Sequence, residues 1–170
     1  MYLTLERIAS FISFLFALLG GFVLIALTML TVSSVSGRAL IPFGLGPIPG
    51  DFELVEAGVA FAVFAFLPWC QFNRGHASVE VFTQFLPEGI NLILDVLIDV
   101  LMLMVAILLC RQHALGTLDK TSYGETTFIL QFPIWWAYAA ALSGALVFVL
   151  VASFCLWRSV RTLFVTEPSS

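Results

Sequence analysis

Asp95 and Asp99 are the residues best placed to do chemistry, because they stand four apart in a stretch otherwise built from Leu, Ile, Val and Met. In a helix that spacing puts both carboxylates on one face. If the stretch crosses a membrane, Asp99 falls near its middle, where a lone carboxylate costs roughly 2.5–3.5 kcal/mol. A proton or sodium site would offset that cost. So would hydrogen bonds to a partner helix or to another polar group in a complex. Two carboxylates are too few ligands for a closed cation site, so the structural or interface role is the stronger reading. Glu53 and Glu56 follow the capping residue Asp51 at the start of another apolar stretch, where they complement a helix N-terminus.

Other chemistries lack their residues. A bis-His haem needs both ligands on facing helices at one depth. His76 and His113 flank the Asp-bearing stretch and fall at opposite membrane surfaces. Cys70, Cys110 and Cys155 are isolated and odd in number, without a CxxC, and read as apolar packing. There is no G-x-S-x-G and no glycine-rich loop before a Lys-Ser/Thr pair.

The elements that position these residues follow from composition. Of 170 residues, 61% are hydrophobic and 11% charged, against roughly 25% charged in a soluble domain. Seven basic and eleven acidic residues cannot cover the surface of a soluble globule of this length, so the chain is a membrane protein. A net charge of -4 without a basic cluster excludes a nucleic-acid footprint. The charges fall in clumps, and the gaps are long enough to cross about 30 Å of hydrocarbon. The expected class is an all-α membrane protein, one integral domain over 1–170, with spans near 8–33, 53–73, 90–111 and 133–158. The first apolar run is longer than the core of a signal peptide and reads as a permanent span.

With both termini on the cytoplasmic side, Arg7, Arg74, Arg158 and Arg161 lie inside and Arg38, Arg111 and Lys120 outside, a modest positive-inside excess. Trp135, Trp136 and Tyr138 cluster at the outer start of the last span, and Trp69 and Trp157 at inner ends, as headgroup-level rings do. Residues 40–50 are too rich in Pro and Gly for a helix. Residues 77–86 put Val79, Phe82, Phe85 and Leu86 on one face and Glu80, Thr83 and Gln84 on the other. They read as a short interfacial amphipathic helix between the second and third spans. Small residues recur every four positions as Ala9, Ser13, Ala17 and Gly21 in the first span and as Ala137, Ala141 and Ala145 in the last. Gly58 and Ala62 give the second span a shorter version. Such stripes let backbones approach closely in lipid, and at least one is read as a docking face for another protein. No inverted repeat of the self-sufficient transporter kind is visible.

Taken in order, several segments resemble the small permease family of tripartite ATP-independent periplasmic (TRAP) transporters. They are Gly37-Arg38 with the Pro/Gly loop and Glu53-Leu-Val-Glu56, then Phe66-Leu67 through Arg74-Gly-His76-Ala-Ser-Val79-Glu80 to Leu86-Pro87, then Thr126 through Pro133 to Tyr138. The resemblance implies a non-catalytic inner-membrane subunit without a cofactor of its own. It would brace a large membrane subunit that holds the substrate and sodium sites, while a periplasmic binding protein delivers an organic acid. Carried over by position, Arg74, His76 and Glu80 become structural or interface residues at the inner surface. Asp95 and Asp99 match no motif of the family. A membrane anchor for a redox complex is the alternative, and the separation of the two histidines weighs against it.

Overall fold

The computed structural model describes residues 2–75 and 88–165. Among them are four long helices: α1 (Tyr2–Ala39), α2 (Asp51–Phe72), α3 (Glu88–Tyr123) and α4 (Trp135–Val165). All four are long and apolar enough to cross a membrane. The helices overrun most of the apolar gaps. The 38 residues of α1 and 36 of α3 reach roughly 55 Å at 1.5 Å per residue, well beyond the hydrocarbon slab. A run of apolar residues marks where lipid is, not where the helix stops, because backbone hydrogen bonding continues into polar residues. The expected interfacial helix at 77–86 lies outside the described residues, as do His76 and Glu80.

The helices pack in a row, α1 against α2, α2 against α4 and α4 against α3, with a lighter contact between α1 and α4. This differs from a closed ring, in which α1 and α3 would meet. The flanking helices α1 and α3 bury only 11% of their most apolar windows, while α4 buries 44%. The core lies along α4, where Ala141, Ala145, Phe148, Val151, Ala152 and Cys155 are buried, and Ala106 of α3 joins Phe148 and Ala152.

The central seam joins α2 and α4, which run in the same direction. Pro68 stands inside α2 and is fully buried. Having no N–H, it leaves the Phe64 carbonyl without its i+4 donor. Gly144 of α4 crosses at that carbonyl: a methyl added there would lie 2.8 Å from both Phe64 C and O. Only a residue without Cβ lets the backbones meet so closely.

The small-residue stripes are used unequally. Ala141 and Ala145 are fully buried inside the chain, with Ala137 half-buried beside them. On α1, Ser13 is buried and turned onto its own helix, donating to the Ala9 carbonyl at 2.7 Å. Gly20, rather than Gly21, meets α2, with Ala65 Cβ 3.1 Å from its virtual Cβ. Gly21 faces open space. Gly144→Ala is therefore expected to lower stability by about 1–3 kcal/mol through overpacking, and Gly21→Ala to leave the isolated chain unchanged or slightly stabilised. Thermal unfolding in detergent, followed by a thiol-reactive dye as buried Cys155 becomes accessible, measures both.

Candidate functional site

At the end where α2 stops, the polar residues expected to act apart come together. The Asp99 carboxylate is 3% exposed. Gln71 of α2 donates to its Oδ1 at 3.1 Å and Ser159 of α4 to its Oδ2 at 2.5 Å. Arg74 donates to the Ser159 oxygen at 2.8 Å and forms an ion pair with Asp95. One connected set, Gln71–Asp99–Ser159–Arg74–Asp95, thus ties three helices. Asp99 lies level with the last turn of α2 instead of midway along a span. Its buried carboxyl group is met by a neutral amide and by a hydroxyl that is itself polarised by a guanidinium. The four-residue spacing of the aspartates was visible in the sequence; Gln71 and Ser159 were not, because neither carries a charge or a motif.

Local structure explains why Arg74 can reach. After α2 the chain turns with Gly75 N–H to Cys70 O at 2.8 Å and Arg74 N–H to Gln71 O at 3.1 Å, the paired bonds of a Schellman cap. Arg74 takes the left-handed position usually given to glycine, with φ 53°. A residue with a Cβ is strained there, and the two side-chain contacts hold it. Arg158 adds a second cation at this helix end, donating to Phe72 O at 3.3 Å with its guanidinium 5.5 Å from the Phe72 ring centre. Both cations complement the negative end of the α2 dipole.

The opposite end is organised by carboxylates. The N-cap position of α2 is Gly50, left-handed at φ 75°, and Asp51 is the first helical residue; its Oδ1 accepts the first-turn N–H of Phe52 at 2.8 Å, as a residue at the helix start was expected to do. Its Oδ2 accepts a hydrogen bond from buried Ser34 of α1, whose oxygen accepts the Ile48 N–H at 3.2 Å. This fastens the Pro/Gly connection across the α1–α2 hairpin. Glu53 reaches the connection between α3 and α4, accepting the N–H groups of Ile129 at 2.6 Å and Leu130 at 2.9 Å. That connection folds on itself through Thr127 N–H to Phe132 O at 2.9 Å and Ile134 N–H to Glu125 O at 3.1 Å. Leu130 covers the place where Gly50 would carry a side chain. A sequence reading of Glu53 as helix-end charge misses this, since backbone donors 76 residues away leave no mark in composition.

Between Glu53 and the central seam lies a cavity of about 240 Å³ lined by residues that include Glu56, His113 and Tyr138. The His113 ring is held between Phe64, at 4.4 Å between centres, and Tyr138, at 5.6 Å. It is half-buried there, between α2 and α4. Among the described residues no three or more of His, Cys, Asp and Glu gather as a metal site.

Three outcomes follow. Asp99→Ala orphans the Gln71 amide and the Ser159 hydroxyl and is expected to cost about 1–3 kcal/mol, whereas Asp95→Ala, losing a pair more than a third exposed, costs about 0–1 kcal/mol. Arg74→Gly is expected to keep about 1 kcal/mol more stability than Arg74→Ala, since both lose the guanidinium and only alanine stays strained. The same thermal assay ranks all four variants. Glu53→Ala is expected to speed amide hydrogen exchange at Ile129 and Leu130 by about tenfold or more, read on peptides spanning 124–134.

Comparison with known proteins adds one match and two blanks. A family model described as "Tripartite ATP-independent periplasmic transporters, DctQ component" matches residues 27–162. No curated protein matches, and no solved structure does.

Proposed function

We propose, from the premise that this chain belongs to the DctQ component family of tripartite ATP-independent periplasmic transporters and is a transporter subunit, not an enzyme, that it braces a large membrane subunit during sodium-coupled uptake of an organic acid. The chain is a multi-pass membrane protein. A periplasmic binding protein would deliver the acid, and the sodium and substrate sites would belong to the large subunit, leaving this chain without a cofactor. The excess of arginine at the end carrying Arg7, Arg74, Arg158 and Arg161 supports cytoplasmic termini in a bacterial inner membrane. Residues 77–86, by their amphipathic pattern, would lie along the inner leaflet. Arg74, His76, Glu80, Asp95 and Asp99 would keep that inner end in shape for the partner, and Glu53 and Glu56 would do so at the outer end. The alternative of a redox-complex anchor finds no support in the family match.

The observation that carries the bracing role is the row of helices. Among the described residues the four helices pack side by side, and only 11% of the most apolar windows of α1 and α3 is buried within the chain. A scaffold needs such faces. The face of α1 marked by Gly21, where an added side chain would meet nothing within the chain, is the one we assign to the large subunit, because the α4 stripe is already consumed within the chain.

Purification from native membranes in a mild detergent is expected to bring down a large polytopic partner in fixed stoichiometry, identified by mass spectrometry. Gly21→Leu should cut that recovery several-fold without lowering the thermal stability of the isolated chain. A lone monomer or homo-oligomer from the unaltered protein would overturn the reading.

A further inference from the structure

The connection between α3 and α4 is built inside out for a loop in water. Phe128 is 93% exposed and Ile129 57%, with Leu130 beside them exposed as well. The polar side chains turn back onto the loop instead: Thr126 Oγ1 donates to Gln131 Oε1 at 3.1 Å, and Gln131 Nε2 donates to the Phe128 carbonyl at 2.9 Å. The backbone is closed in the same way. The N–H groups of Thr127, Ile129, Leu130, Phe132 and Ile134 all have acceptors within the chain, and for Ile129 and Leu130 these are the two oxygens of Glu53. Pro133 has no N–H to place. A loop in water can leave such donors to solvent, whereas irregular backbone at membrane depth must satisfy them internally.

The level of the loop follows from α2. At 22 residues this helix is about 33 Å long, close to the roughly 30 Å of hydrocarbon it crosses. Glu53, in its first turn, therefore stands at one boundary of the bilayer, and Arg74 and Arg158 at the other. The sequence carries no charge from Thr126 to Trp157, so no charged break separates the loop from the last span. Trp135 and Trp136 are exposed in the turn that follows, as rings at headgroup level are. We propose that this loop is inserted in lipid: Phe128 and Ile129 enter the boundary between headgroups and acyl chains, and Glu53 takes the place of water for the backbone behind them. A protein socket for the same side chains would not demand a closed backbone, because protein interfaces keep bridging waters. Hydrocarbon keeps none. The inference rests on the membrane class of the chain and stands without the bracing role.

Trifluoromethyl-phenylalanine placed at position 128 by stop-codon suppression gives one fluorine signal, read with the full chain in phosphatidylcholine nanodiscs. The same residue at Ser122, in the exposed last turn of α3, gives the reference in water. Dissolved oxygen, which concentrates in lipid, is expected to relax the signal at 128 several-fold more, relative to a water-soluble nickel chelate, than it relaxes the signal at 122. Equal ratios at the two positions would overturn the inference. Glu53→Ala should bring the nickel chelate closer to position 128 as the freed backbone turns toward water, and an unchanged ratio would overturn the part given to the carboxylate. In native membranes, photoreactive p-benzoylphenylalanine at 128 is expected to yield a phospholipid adduct by mass spectrometry of the irradiated chain. An adduct with another protein in its place would overturn the inference and make the loop a protein contact.

Discussion

The missing donor at Pro68 and the missing side chain at Gly144 meet at one carbonyl, and the rest of the molecule is arranged around that crossing. The proline frees the Phe64 carbonyl from its helix bond, and the glycine lets the α4 backbone come up against it, where any side chain would clash. This contact fixes the separation and register of α2 and α4. Seven residues further along α2 stands Gln71, and fifteen further along α4 stands Ser159. Both then present themselves to Asp99 of α3. Toward the other end, the same seam leaves room between Phe64 and Tyr138 for the His113 ring.

The two ends are fastened by different means. Where α2 ends, cations dominate: Arg158 donates to the Phe72 carbonyl, and Arg74 is met by the Asp95 carboxylate directly and by Asp99 through Ser159. Where α2 begins, Asp51 and Glu53 gather donors from the preceding and following connections. Each arrangement agrees in sign with the α2 dipole. Connections that would otherwise be free are thereby tied to one helix, and α2 acts as the reference element although α4 is the more buried.

This distribution suits a subunit that works through its surface. Polar contacts close the ends and small residues close the central seam, so the flanks of α1 and α3 need not contribute to internal cohesion. They present large apolar side chains outward, where lipid offers no hydrophobic drive and close packing decides association. Membership of a transporter component family and an open row of helices are consistent parts of one description.

Composition and charge spacing by themselves determined the membrane class, the four spans and the prominence of Asp95 and Asp99, because the bilayer reads hydrophobicity along the chain directly. The order of motifs was enough to indicate the family. The tertiary structure alone decided which small residues are consumed inside, that Gly20 and not Gly21 meets α2, that Glu53 serves a loop 76 residues away, and that His113 packs between two rings. It also supplied Gln71 and Ser159, neutral residues whose role exists only once three helices stand at a set distance. A helix pattern gives the face of a residue on its own axis. The partner of that face depends on how neighbouring axes cross, and here the crossing is set by a proline and a glycine whose separation of 76 positions carries no periodic signal.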